Sequence, residues 1–218
     1  MRAHYGRQLQ HLNEELLRMG SRVEHALKTV GSLLENPDTD LAQRVIAEDR
    51  EIDDARSLIE EHVLDIIATQ QPVATDLRRV LAVIAIANEL ERAADYTKGI
   101  AKRVIRGVSY ERIVEPPPKL RQMAAITQEM LNISLDAFVR NDAALARSLS
   151  VRDEDVDLLE DEVAADLLQI ARGDSSQVDA VITWLDVAHV LERLADRATN
   201  IGERVIFIAT SHTEQLNA

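Results

Sequence analysis

Residues 80–105, VLAVIAIANELERAADYTKGIAKRVI, reappear 101 positions on as VITWLDVAHVLERLADRATNIGERVI at residues 181–206. Eleven of the 26 positions are identical: Val80/Val181, Ala87/Ala188, Leu90/Leu191, Glu91/Glu192, Arg92/Arg193, Ala94/Ala195, Asp95/Asp196, Ile100/Ile201, Arg103/Arg204, Val104/Val205 and Ile105/Ile206. In the first copy Val80, Val83, Ala87, Leu90, Ala94 and Ala101 recur at steps of three, four and seven, which is one helix face turned toward a core. The preceding segment repeats as well. Asp49-Arg-Glu-Ile-Asp53 matches Asp153-Glu-Asp-Val-Asp157 at an offset of 104, and the three-residue difference falls in the intervening turn. A helical unit has been written twice.

Working outward, the helix breakers set the remaining boundaries. Gly and Pro number 7 and 5 in 218 residues, and neither occurs within 38–71, 73–98 or 119–172. Strands would need turn signals every 8–12 residues or so, and an aromatic content of 3% also disfavours sheet. The pattern predicts six helices: Arg7 to Leu34, Asp40 to Thr69, a third to Arg106, Lys119 to Arg140, a fifth from Asn141-Asp142 to Gly173, and a sixth from Ser175-Ser176 to Thr210. Pro72 stands near the start of the third, with Thr75 or Asp76 as an internal start. GVSYERIVEPPP at 107–118 suits neither helix nor core. The expected architecture is all-α. Residues 1–106 and 119–218 form two tandem three-helix bundles joined by the 107–118 linker and related by an approximate two-fold axis.

The net charge is −13. Gripping a nucleic acid requires a positive footprint, so DNA and RNA are excluded as expected partners. Without cysteine there is no disulfide framework, thiolate zinc site or cysteine nucleophile. The N-terminal MRAHYGRQLQHLNEELLRMG lacks a secretory h-region, and the longest apolar run, Val80 to Ala87, falls far short of the ~20 residues that span a bilayer. A cytoplasmic location is expected. GxxxxGK[ST], GxSxG and HExxH are all missing, which removes phosphate-loop, hydrolase and zincin readings.

The chemistry resides in acidic pairs. Each repeat carries two (E/D)xxxD pairs, Asp49/Asp53 with Glu91/Asp95 and Asp153/Asp157 with Glu192/Asp196. A spacing of four stacks both carboxylates on one helix face, where like charges repel. A multivalent cation reverses that sign, and all-oxygen ligation suits Mg, Mn, Ca or oxidised Fe and admits Zn. With 38 acidic residues, about six such pairs arise by chance, so one pair alone means a solvated face. Four pairs in register leave two readings open: a metal site, or a surface pattern inherited by duplication.

Leu90-Glu91-Arg92-Ala93-Ala94-Asp95, its copy Leu191-Glu192-Arg193-Leu194-Ala195-Asp196, and the leader Gln71-Pro72-Val73-Ala74-Thr75-Asp76-Leu77-Arg78 resemble the repeated signature of the PhoU family of phosphate-uptake regulators. Ile52-Asp53 and Val156-Asp157 resemble that family's second-helix positions. The resemblance covers nearly the whole chain and is to stand-alone members. It implies metal sites at the acidic pairs, multinuclear iron or other divalent ions in relatives, so Fe, Mn, Mg or Zn. It also implies a non-enzymatic negative regulator of the phosphate-starvation response. Such a protein bridges the ATPase subunit of the phosphate ABC transporter and a membrane sensor histidine kinase, sits peripherally at the inner face of the membrane through these partners, and is commonly a homodimer. The family often places Asn four residues after the motif Asp. Asn200 keeps this, whereas the first half has Gly99 flanked by Lys98, and a lysine there opposes a cation. The second-half site is therefore the favoured one.

Other residues carry paired readings. Arg92 and Arg193 either hold the acids or face solvent. His189, three residues before Glu192, is an added ligand or a partly exposed histidine. Arg78 reads phosphate or a partner, or else caps and packs. Trp184 belongs to the apolar stripe. Rival functions are accessory regulation of another phosphate transporter, a metal-free helical scaffold, and a ferritin-like di-metal oxidase; the last needs Glu-x-x-His, which the sequence lacks.

Overall fold

Asp38 and Asp142, 104 residues apart, start equivalent helices in the same way. The Asp38 carboxylate accepts the Leu41 N–H at 2.9 Å, and Asp142 accepts those of Ala144 and Leu145 at 2.9 and 3.0 Å. Each satisfies donors that a helix start leaves orphaned. The computed structural model describes residues 2–108 and 115–217. Its helices are α1 (Arg2–Glu35), α2 (Thr39–Gln70), α3 (Thr75–Val108), α4 (Pro118–Arg140), α5 (Ala143–Arg147), α6 (Leu149–Gly173) and α7 (Val178–Thr210), with a 3-10 turn at Ser175–Gln177. No strand occurs among the described residues. Replacing Asp142 with Ala should lower stability by about 1–2 kcal/mol, read as a shifted urea midpoint at unchanged slope; no shift would mean that the two bonds are idle.

Three local features differ from the expectation. The third helix begins at the internal start Thr75 and not beside Pro72, because Gln71 and Ala74 take left-handed φ of 48° and 49° and residues 71–74 form the turn. The fifth helix is interrupted: the Ser148 hydroxyl and N–H both turn to the Leu145 carbonyl, at 2.7 and 3.2 Å, the local competition by which serine breaks a helix. Arg44, the equivalent residue of α2, leaves that helix continuous. Finally, the end of the linker is not excluded from the core. Pro116 and Pro117 are buried, and Pro118 is the first residue of α4, where a missing N–H is harmless. At its other end, residues 107 and 108 of the expected linker continue α3; residues 109–114 lie outside the described residues.

Within each unit the helices pack pairwise, α1, α2 and α3 together and α4, α6 and α7 together. The offset of 104 extends through their buried faces: Leu16/Leu120, Met19/Met123, Leu27/Leu131, Ala42/Ala146, Val45/Leu149 and Val63/Leu167 are all buried pairs. Between the units, α1 packs on α4 and α3 on α7. α1 and α3 thus each meet their own repeat equivalent, as helices lying on an approximate two-fold axis do, while α2 and α6 lie apart on the outer sides. The result is two tandem three-helix bundles sharing one continuous core. At the α1–α4 crossing a Cβ on Gly20 would stand 2.8 Å from a Leu135 methyl, so a larger residue there would require the Leu135 side chain to shift.

Candidate metal centres

In the first unit, α2 supplies Asp49 and Asp53, and α3 supplies Glu91 and Asp95. Helical spacing points each pair across the α2–α3 seam. Asp49 is 5% exposed. Partial desolvation, then Asp49 and Asp95, raise the Asp53 carboxyl above its ordinary range. Desolvation, then Asp95 and Asp53, do the same to Glu91. The four acids therefore share one electrostatic neighbourhood. Lys98 enters it, its Nζ donating to Asp49 Oδ2 at 2.5 Å and to Asp95 Oδ1 at 3.4 Å. Those hydrogen bonds, the one to Asp49 foremost, raise the lysine's pKa and hold it charged. The first cluster thus carries a countercharge from its own chain.

The second unit builds the same cluster from α6 and α7 with no lysine; Thr199 occupies the equivalent place and turns its hydroxyl to the Asp196 backbone carbonyl at 2.9 Å. Asp153 is 8% exposed. Burial, then Asp157, Asp196 and Glu192, push its carboxyl up to about 7. Burial and Asp196 also raise Asp157 and Glu192. Glu192 Oε2 is buried and accepts no hydrogen bond. A desolvated, mutually repelling set of oxygens with one orphaned acceptor fits a bound cation, since a cation supplies the missing charge and the missing partner. Among the described residues, the ones brought within a single ion's reach here are Glu192, Glu160 and His189; Asp153, Asp157 and Asp196 are their electrostatic neighbours.

Asn200, expected beside these acids, instead donates to Glu89 Oε2 at 3.2 Å, joined there by Arg197 Nη1 at 3.1 Å. These bonds link α7 to α3 across the two units. Asp196 Oδ1 accepts the Asn217 amide at 2.9 Å, from the segment after α7. His189 does lie beside Glu192: its Nδ1 stands 3.3 Å from Glu160 Oε1 and 3.6 Å from Glu192 Oε2, and the ligand atoms of all three fall within 4.8 Å of one another. The sequence reading missed Glu160; its signal is position seven after Asp153, two turns along the same face. Arg193 is not drawn to the acids and stacks over the Tyr96 ring at 5.1 Å, Arg92 is exposed, and Arg78 donates to Thr75 at the start of α3.

The repeat and the fold agree with what known proteins show. The family profile described as "PhoU domain" matches residues 16–104 and 120–205. The chain is 37% identical to the phosphate-specific transport system accessory protein PhoU homolog of Clostridium acetobutylicum, covering 96% of this chain and 95% of that one. It is 34% identical to the protein of the same description from Caulobacter vibrioides, covering 94% and 90%. Among solved structures it superposes on PhoU from Pseudomonas aeruginosa with a TM-score of 0.91 at 29% identity, covering 95% of this chain and 100% of that one. The phosphate transport system regulatory protein PhoU from Streptococcus pneumoniae gives 0.89 at 26% identity, covering 97% and 99%. On its duplicated sequence, its fold and these likenesses, the chain belongs to the PhoU family.

Proposed function

We propose that this protein is a cytoplasmic, non-enzymatic negative regulator of the phosphate-starvation response, docking on the ATPase subunit of a phosphate ABC transporter and on a membrane sensor histidine kinase. In this reading the two units, divided at 107–118, act as paired docking modules in a homodimer, and Fe, Mn, Mg or Zn at the carboxylate clusters fixes their surfaces. Its curated relatives are named as accessory proteins of phosphate-specific transport systems. The observation that carries the reading is the duplicated carboxylate face, whose second copy holds Asp153 up at about 7 and leaves a Glu192 oxygen without a donor. A second duplication supports docking. Leu64 and Leu81 are exposed in the first unit, and their equivalents Leu168 and Ile182 are exposed in the second. No helix among the described residues is long and apolar enough to cross a membrane, in keeping with attachment through partners.

The reading is tested by deleting the gene and assaying alkaline phosphatase in high phosphate. Derepression, together with capture of the ATPase subunit by the purified protein, is expected; a strain that stays fully repressed rejects the regulator. The metal part is tested by elemental analysis of the Glu192→Ala/Asp196→Ala variant, which should lose bound Fe, Mn or Zn. Unchanged content would remove those residues from the site. Lys98→Thr, which copies the second unit, should tighten Mn binding at the first cluster about tenfold or more by removing a like charge within a few ångströms of the cation. Titration calorimetry reads this, and an unaltered first-cluster affinity would show that the lysine does not govern it.

A further inference from the structure

The offset of 104 that superposes the two units pairs Glu15 with Lys119 and His62 with Asp166. In the second unit this place is an ion pair: Lys119 Nζ lies 3.0 Å from Asp166 and 3.2 Å from Glu162. A lysine and two acids suffice to tie α4 to α6. The first unit fills the same place with a different chemistry. Glu15, on α1, is 8% exposed. Its Oε2 stands 2.7 Å from Nδ1 of His62 on α2, and its Oε1 stands 3.3 Å from Nε2 of His11, one turn earlier on α1. The two imidazole rings are 5.7 Å apart, tilted by 44°, and the three ligand atoms all lie within 4.8 Å of one another. None of these residues belongs to the repeated acidic pairs.

We infer that His11, Glu15 and His62 form a third, separate metal site, which takes zinc or a similar borderline divalent ion. Two imidazoles and one carboxylate are the donors that such ions favour over Mg or Ca. Bonds of about 2.0–2.2 Å to each would hold the ligand atoms roughly 3.3 Å apart; the two Glu15 oxygens now stand 3.3 and 2.7 Å from the two rings, and the three ligand atoms lie within 4.8 Å of one another, so small side-chain shifts complete the geometry. Glu15 also opens onto a cleft of about 390 Å³ lined by Arg18, Arg22, Glu51 and Asp54 among others. His11 is half exposed, which gives water access to the remaining position of a three-ligand site. Arg22 is already paired with Glu51 at 2.9 Å.

The test uses the full-length protein, stripped with chelator and titrated with Zn²⁺ alone. His11→Gln is the informative variant, because His11 is 57% exposed and its replacement leaves the core intact; His62→Gln is the second. Loss of an inner ligand should weaken one zinc equivalent by at least about 100-fold, no less than second-shell losses do. His189→Gln should leave that equivalent unchanged, which separates this site from the carboxylate clusters. X-ray absorption of the one-equivalent complex should show two imidazoles on zinc. The inference is overturned if His11→Gln shifts zinc affinity less than tenfold, or if the tightest equivalent is lost in His189→Gln instead.

Discussion

Asp153→Asn should make the metal-free protein more stable at pH 8, by about 2 kcal/mol. A carboxyl held at about 7 against an ordinary 3.8 is a native-state liability once ionised. Linkage puts the full value near 4 kcal/mol, and the water reaching its exposed neighbour Asp157 trims this to about half. The sign follows from proton counting. Between pH 4 and 7 the native state keeps a proton that the unfolded chain has released, so stability falls as pH rises through this window. Below it both forms are protonated and the liability vanishes; above it the liability is complete. Asp157, Glu192, Asp53 and Glu91 are raised as well and add in the same direction. In chelator, the wild-type melting temperature should therefore decline from pH 5 to pH 8, and Asp153→Asn should flatten the decline and melt about 5 °C higher at pH 8. On the proposed metal reading, saturating Mn should reverse the order, because a cation that binds only the folded form stabilises it by mass action and the variant would lack one of its carboxylates. A variant that melts lower than wild type in chelator would show that the cluster is not electrostatically strained.

The fold was legible because helix periodicity and duplication are both local patterns. Val80 to Ala101 announces its buried face within one helix, and its copy at 181–206 announces the second unit. The acidic clusters were legible for the same reason, since i,i+4 spacing fixes which side chains share a face before any packing is known. What the sequence hid is what depends on contacts between distant segments. Asn200 sits one turn beyond Asp196, yet its partner is Glu89, 111 residues away on the other unit, and no spacing within α7 encodes the crossing that brings them together. Asn217, reaching Asp196 from the terminal segment, is hidden likewise. Ser148 interrupts a helix that composition alone would carry through, because one hydroxyl competes for one carbonyl. Lys98 was visible as a positive charge beside the candidate cation site, but that it bridges both acidic pairs of its unit is a matter of the α2–α3 seam.

Trp184→Ala should cost about 3–5 kcal/mol, the range for emptying a large buried aromatic site, whereas Trp184→Phe should cost about 1.5 kcal/mol or less. The indole is 3% exposed. It reaches from α7 to the end of α3, where a Cβ on Gly107 would lie 3.6 Å from its ring, so the cavity would open between the two units and not inside one. Ion pairs do not substitute for this packing. Arg152 and Glu129, 2.9 Å apart on the surface, are worth no more than about 0.5–1 kcal/mol, and Arg152→Ala should barely move the urea midpoint. The shape of the transition carries the stronger inference. Because α1–α4 and α3–α7 make the core continuous, wild type and Trp184→Ala should both unfold in a single step followed by circular dichroism, the variant at a lower midpoint. Were the units independent, the substitution would weaken only the second, and the curve would split into an early phase for residues 119–218 and an unshifted one for 1–106. A split curve would mean that the bundles fold separately and that the junction carrying Glu89, Arg197 and Asn200 is a contact between modules, not part of one core.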